Sequence, residues 1–250
     1  MYHDLMDLYG DKGNAEVLRR RAEKRGIEVQ LDTCTIGEEK NIDEYDLFFL
    51  GGGADKEQNL IFADLLQRKQ SIQTAMDHKT AFLLICGGYQ LFGQYYKDQD
   101  GNVIEGLKFF DYYTVAGNRD ERCIGNIAVE TTMDGKTFKA VGFENHGGRT
   151  YINDHTPFGK VFFGLGNTGK SGYEGVVYKN VIATYLHGPL LPKNPQVCDY
   201  LLERALQRKY GENVTLSPLP DELEHKANSY IFDRYNDKKY VLQETIKRYT

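Results

Sequence analysis

Five apolar residues in a row, Ala81-Phe82-Leu83-Leu84-Ile85, stop at Cys86-Gly87-Gly88, and a helical stretch starts at once from Tyr89. A run this short and this uniformly apolar reads as a strand covered on both faces, the habit of parallel sheets flanked by helices. The turn after it sets Cys86 at the carboxyl end of the strand, where open α/β sheets place their active sites. A helix N-terminus beside the sulfur favours the thiolate. Gly87 and Gly88 let backbone N–H groups come close to a tetrahedral oxyanion. This is the thiol version of a nucleophile elbow. Elsewhere a free cysteine is usually just a small buried apolar side chain; here its position argues for a nucleophile.

The rest of the chain supplies the frame for such a strand. Asn14 reads as a helix N-cap, with a helix over residues 15–24 ending at Gly26. Residues 27–31 alternate like a strand. Residues 46–50 form another short apolar run, closed by Gly51-Gly52-Gly53, and a long helical pattern covers residues 57–78. Apolar runs alternating with helices predict βαβ units on a parallel sheet. After Gly101 the texture changes to short strand-like pieces separated by Gly and Asn, among them 127–131, 138–143, 161–163, 175–178 and 181–185. They predict antiparallel hairpins. Helices return over 195–210 and 221–248. With no repeat, low-complexity tract or linker, residues 1–250 read as one domain.

A thiolate nucleophile needs a partner that takes a proton and later protonates the leaving amine, and imidazole suits both tasks. Residues 180–189 end a strand on His187, stopped by Gly188-Pro189. A lone histidine after a strand is more often structural, but with an elbow cysteine in the same chain it is the candidate base. Gly53, at the end of the earlier strand, and Gly87 are the candidate oxyanion donors; a plain strand-to-helix turn explains three glycines equally well. Side chains are missing there to lock the peptides, so the loop is expected to be able to turn one N–H away until a partner docks. Phe143-Glu144-Asn145-His146-Gly147 is a further polar cluster, either lining the site or forming a turn with a solvated histidine.

Gly164-Leu165-Gly166-Asn167-Thr168-Gly169-Lys170-Ser171 matches the G-x-x-x-x-G-K-S phosphate loop. That motif works only when a helix begins at its Lys-Ser. Here two glycines and three β-formers follow, so a hairpin loop is expected. The motif keeps open the alternative of a nucleotide-binding protein, and a non-catalytic binding subunit is a third possibility. The formal charge is −5 with no basic stripe, which argues against nucleic acid as the main partner. No apolar run approaches the roughly 20 residues that span a bilayer, and the first residues lack the pattern of a signal peptide. Four scattered cysteines suggest neither a zinc site nor a disulfide framework, and fit the reducing cytoplasm.

These segments together resemble the class I (triad-type) glutamine amidotransferases, in the branch that includes cobyric acid synthase; within it the chain looks most like the glutaminase subunits of lipid II isoglutaminyl synthases. The matching pieces are Leu8-Tyr9-Gly10-Asp11-Lys12-Gly13-Asn14, Gly51-Gly52-Gly53-Ala54-Asp55, Ile85 to Gln90, Phe143 to Thr150, and Tyr185-Leu186-His187-Gly188-Pro189. The resemblance implies a flavodoxin-like fold: a mostly parallel central sheet with a β-rich antiparallel extension and C-terminal helices. It implies glutamine hydrolysis through a thioester at Cys86, with no cofactor and no metal. It also implies a heterodimer with a Mur-ligase-like, ATP-using subunit that receives the ammonia and amidates D-glutamate of the lipid II stem peptide. Arg122 and Gln90 are the implied substrate-binding residues; a guanidinium can grip a carboxylate with two hydrogen bonds, although Arg122 could equally be a solvated residue among Arg119, Asp120 and Glu121. The chain departs from the family in two respects. No acid follows His187 at the His-x-Glu spacing, which predicts a Cys–His dyad or an acid from elsewhere. The strand that usually precedes Leu-Tyr-Gly-Asp is also expected to be missing, exposing a sheet edge.

Overall fold

The computed structural model describes residues 1–118 and 121–236. A 3-10 turn, Leu8–Gly10, leads into helix α1 (Lys12–Glu23), and a second turn, Ile42–Glu44, into strand β1 (Leu47–Leu50). Helices α2 (Asp55–Gln67) and α3 (Lys69–Asp77) carry the chain to β2 (Ala81–Ile85) and α4 (Gly87–Phe92). Then come β3 (Tyr95–Lys97), β4 (Val103–Glu105) and β5 (Tyr113–Ala116), and a long hairpin of β6 (Cys123–Met133) and β7 (Lys136–His146). Strands β8 (Gly148–Tyr151), β9 (Gly159–Phe163), β10 (Tyr173–Glu174), β11 (Val176–Tyr178) and β12 (Val181–Thr184) follow. Helices α5 (Pro195–Tyr210) and α6 (Glu222–Asn236) close the described chain.

The central sheet runs β1-β2-β12-β11. Its first three strands are parallel and β11 is antiparallel. Every residue of β2 and of β12 is buried, which is why both read as unbroken apolar runs. Parallel pairing of β2 with β12 brings their carboxyl ends together, Ile85 opposite Thr184. Cys86 and His187 are therefore delivered to the same edge of the molecule. The β-rich half forms two further sheets, β10-β9-β6-β7 and β4-β3-β5-β8. Helix α6 lies against the first of these, with Phe232 buried beside Phe162 and Phe163. Among the described residues no helix is long and apolar enough to cross a membrane.

Ion pairs anchor α1, and with it the turn that precedes it. Buried Arg21 is gripped by Asp199 of α5 at 2.8 Å and by Asp221, just before α6, at 2.6 Å. The other end of α1 packs on the segment after His187. A Cβ on Gly13 would come within 2.7 Å of Pro189 Cγ, and Asn14 Oδ1 accepts a 2.9 Å hydrogen bond from the Leu191 amide. Asn14 is thus not the N-cap. The helix begins two residues earlier, and the side chain is buried as a clamp between two segments.

Two further expectations are corrected. Residues 27–31 form no strand: Ile27 and Val29 do turn toward the core, but among the described residues no strand pairs with them, so the alternation reports burial alone. The helical pattern over 57–78 is two helices, broken at Arg68, where the backbone relaxes to φ −84°, ψ −3° and the guanidinium folds back onto Asp64 at 2.8 Å. The hairpin strands are present, β6 and β7 being longer than their apolar centres suggest. Of the last predicted helix, the part beyond residue 236 lies outside the described residues.

One carboxyl group fastens the edge of the central sheet. Glu174 is fully buried; it accepts from the Tyr185 amide at 2.6 Å and pairs with Thr184 Oγ1 at 2.8 Å. Burial pushes its pKa up to about 8, against the pull of those two hydrogen bonds. An ordinary carboxyl of the unfolded chain titrates near ~4.3. Between those values the folded chain holds a proton that the unfolded chain releases, so rising pH favours unfolding. Glu174→Gln mimics the protonated acid, since its oxygen can still accept from Tyr185 and its nitrogen can donate to Thr184. The melting temperature of Glu174→Gln relative to the native chain should therefore climb as pH goes from 5 to 9, as measured by calorimetry; a flat difference contradicts the assignment.

Candidate active site

Cys86 ends β2 in a conformation that L-residues avoid, φ 49° and ψ −100°. Such backbone costs on the order of 1–3 kcal/mol and survives only where its surroundings enforce it. Here three hydrogen bonds do so. The Cys86 amide donates to Thr184 O at 2.9 Å, its carbonyl accepts from Gln90 N at 2.9 Å, and Gly88 N donates to Gly51 O at 3.2 Å. The elbow is thus tied to β12, α4 and the β1 loop at once. All four cysteines are free and buried. Burial pushes the Cys123 thiol up to about 11 and raises those of Cys34 and Cys198, so none of these three is poised to ionise.

His187 follows β12 and is held by a two-way backbone bridge to Phe143, with N···O distances of 2.8 and 3.1 Å. Its Nδ1 faces the Asp11 carboxylate at 3.2 and 3.3 Å. Both side chains are completely buried. The acid absent after His187 in sequence is thus supplied 176 residues earlier, from the turn ahead of α1. Sequence reasoning missed its role, although Asp11 stood in the matched Leu8-Tyr9-Gly10-Asp11 segment. The Nε2 atom is buried without a hydrogen-bond partner, leaving it available to the reacting groups. Burial lowers the pKa of His187, but Cys86 and Asp11 together outweigh it and lift it to about 10.

The glycine loop after β1 fits between nucleophile and base. A Cβ on Gly52 would lie 2.7 Å from His187 Cε1 and 3.3 Å from Cys86 Cβ, so only glycine fits there. Contrary to the expectation of a free loop, its peptides are pinned. Gly52 N donates to Asp11 Oδ2 at 2.8 Å, Leu8 N donates to Gly52 O at 3.0 Å, and Gln58 Nε2 donates to Gly53 O at 3.2 Å. Since Gly52 O and Gly53 N share one peptide plane, the bond from Leu8 fixes the direction of the Gly53 N–H. A Cβ built on Gly87 would be 3.0 Å from Gly53 N, so the two candidate oxyanion donors sit side by side.

The remaining candidates have distinct placements. Arg122 is exposed just before β6, its Nη2 donating to Asn145 Oδ1 at 3.0 Å and its Nη1 3.2 Å from where Gly147 would carry a Cβ. Arg119 and Asp120 lie outside the described residues. Gln90 is buried, accepting from Gln58 Nε2 at 2.9 Å and donating to the Tyr185 hydroxyl at 3.1 Å. Residues 143–146 end strand β7, with Gly147 as the bend after it, and His146 is not solvated but buried, stacked on the Tyr185 ring at 3.7 Å. Its Nδ1 meets Gly148 O at 2.7 Å, and burial holds it below the usual imidazole range against the pull of Glu144. The phosphate-loop motif forms a β9–β10 connection with no helix. Its Leu165 and Gly166 amides donate to the Glu144 carboxylate at 2.7 and 2.9 Å, so an internal anion occupies the donors that a phosphate would need. Among the described residues no cluster suited to a metal ion occurs.

Comparison with known proteins agrees with this geometry. Residues 1–195 match the CobB/CobQ-like glutamine amidotransferase domain. The chain is 43% identical over 242 residues to the lipid II isoglutaminyl synthase (glutamine-hydrolyzing) subunit GatD of Staphylococcus aureus, covering 96% of this chain and 97% of that one. It is 39% identical over 240 residues to the protein of the same name from Streptococcus pneumoniae, covering 96% and 90%. A probable cobyric acid synthase of Methanocaldococcus jannaschii is 33% identical over 155 residues, 58% of this chain and 30% of that one. With its strained elbow cysteine, its buried histidine and a family match over most of its length, the chain belongs to the CobB/CobQ-like glutamine amidotransferases.

Proposed function

We propose that this chain hydrolyses glutamine to glutamate and ammonia through a thioester on Cys86, and that the ammonia goes to a Mur-ligase-like, ATP-using subunit bound to it as a heterodimer. That partner would amidate D-glutamate of the lipid II stem peptide in the cytoplasm. The observation that carries the chemistry is the strained Cys86 elbow lying beside the buried His187–Asp11 pair, with Gly52 wedged against all three side chains. The acceptor and partner rest on the near full-length similarity to proteins named as lipid II isoglutaminyl synthase subunits.

In the proposed reaction the Cys86 thiolate attacks the side-chain amide carbon of glutamine. The oxyanion accepts the N–H groups of Gly53 and Gly87, each such donor typically contributing roughly 10²–10³-fold in rate. The His187 imidazolium gives its Nε2 proton to the leaving nitrogen, the C–N bond breaks, and ammonia departs from the thioester. His187, now neutral, takes a proton from water as the water attacks the thioester. Glutamate leaves, and thiolate and imidazolium are restored. Asp11 is a positioning residue: it holds Nδ1–H, fixing the ring and favouring its charged form. Arg122 grips the glutamine α-carboxylate, and Gln90, the other substrate-binding candidate, has its amide engaged by Gln58 and Tyr185.

A glutamine-mimicking diazo-ketone should label Cys86 and leave Cys34, Cys123 and Cys198 untouched, as peptide mass mapping will show. Cys86→Ala should abolish hydrolysis; label on another cysteine refutes the mechanism. Asp11→Asn should lower kcat by roughly 10²-fold or more, because its amide can satisfy Gly52 only by turning an N–H toward His187 Nδ1. Without the carboxylate the imidazolium loses its proton at lower pH, so the alkaline limb of the rate profile should move down from near pH 10. Because the oxyanion loop is already pinned, adding the ATP-using subunit should change kcat for glutamine by only a few-fold; a hundredfold rise means that one of those pins is broken in the isolated chain.

A further inference from the structure

Tyr9 has no part in the chemistry above, yet it stands between its two ends. It adopts the left-handed conformation, φ 59° and ψ 24°, which a bulky side chain ordinarily avoids. Neighbouring Gly10 is also left-handed. The turn is locked on both sides, by Leu8 N on Gly52 O and by Lys12 N on Asp7 Oδ1 at 2.7 Å. The strain projects the Tyr9 ring edge-on against His187, with centroids 5.1 Å apart at 76°, and against Phe143 at 6.2 Å. Its hydroxyl accepts from Asn145 Nδ2. The other end of the same carboxamide accepts from Arg122 Nη2. The guanidinium in turn lies over Gly147, where no side chain obstructs it.

From this geometry we infer that Tyr9 is a positioning and specificity residue for glutamine, the middle of a clasp running His187–Tyr9–Asn145–Arg122. The inference rests on the proposed glutaminase reading and on Arg122 as the carboxylate grip. Arg122 sits just before a strand, exposed, with a long flexible side chain whose freedom is lost on binding. Asn145 removes part of that freedom beforehand: the guanidinium, which can only donate, takes the carboxamide oxygen, and the Tyr9 hydroxyl anchors the nitrogen left at the other end, holding the carboxamide in place. The ring of Tyr9, packed on His187, ties this register to the base. Substrates with an α-carboxylate at the right distance from the amide carbon are then favoured over other primary amides. The hydroxyl acts on binding and the ring acts on His187, so the two parts of one side chain should separate in kinetics.

Steady-state hydrolysis by the full chain tests this, with glutamine and with 4-aminobutanamide, which lacks the α-carboxylate. Tyr9→Phe should raise KM for glutamine about tenfold, the scale of one hydrogen bond serving a charged group, and lower kcat much less. Its rate on 4-aminobutanamide should match the native chain. Asn145→Ala should repeat that pattern, and the double variant should be no worse than the poorer single one, because both break the same chain. Tyr9→Ala should lower kcat as well, and restoring the ring as Phe should recover most of kcat but not KM. An unchanged KM in Tyr9→Phe, or an equal loss on both substrates, overturns the clasp while leaving native hydrolysis and Cys86 labelling intact. A native chain that hydrolyses no glutamine overturns the clasp together with the proposed function.

Discussion

The carboxylate of Asp11 organises the rest of the site. It is completely buried, and a buried charge is tolerated only when hydrogen bonds and an opposite charge replace the water it has lost. One of its oxygens takes the Gly52 amide at 2.8 Å, and the pair faces His187 Nδ1 at 3.2 and 3.3 Å. In the proposed reaction both partners take part: Gly52 opens the peptide that bears the Gly53 N–H, and His187 serves as acid and base. Removing the carboxylate would therefore disturb oxyanion loop and imidazole together. That dependence explains the investment in holding α1, with Arg21 clasped by two aspartates at one end and Gly13 and Asn14 wedged against Pro189 and Leu191 at the other.

The same economy of space governs the elbow. Cys86, the Gly52 peptide and the His187 ring occupy adjoining positions with no room for a Cβ on Gly52. Left-handed backbone at Cys86 is the consequence of ending a buried strand and starting a helix within one residue, and three backbone hydrogen bonds hold it there. A nucleophile presented in this way needs no flexible loop to find its target. It costs fold stability, which the fully buried strands β2 and β12 on either side supply.

How much of this was legible in the sequence follows from the range of the interactions. Cys86 and His187 could be read because their signals are local: an apolar strand, then a turn, within ten residues of chain. Pairing between β2 and β12 could be guessed only in outline, and the Asp11–His187 contact not at all from spacing, because a carboxylate 176 residues away leaves no periodic trace. Asn14 misled for a related reason: an N-cap and a tertiary clamp use the same side-chain acceptor. Residues 27–31 show that alternation records which side chains are buried and is silent on whether a neighbouring strand exists. The phosphate-loop motif was separable from a true one by the glycines and β-formers after it, but its real occupant, Glu144, became visible only once β7 was seen beside it.

Placement of the β-rich half gives the site its asymmetry. On the proposed glutaminase reading, the central sheet alone presents the nucleophile, the base and the oxyanion donors, a set that could attack many carbonyl compounds. On the same reading, what would distinguish one amide from another lies at the far end of the β6–β7 hairpin, where Arg122 just precedes β6, Asn145 sits in β7 and Gly147 just follows it. That end is joined to the sheet at the Phe143–His187 bridge, so the proposed recognition elements and the proposed base share one backbone contact. Glu144 and His146, alternating with Phe143 and Asn145 on the same strand, point the opposite way into a buried layer with the Tyr185 ring and the 164–171 loop. One strand thus presents a specificity face and a structural face with period two. A one-residue slip of β7 would exchange them, placing a buried carboxylate against the base and exposing the carboxamide's position to the core. The closely packed register of β6 on β7, eleven paired residues long, is what protects the reaction from that exchange.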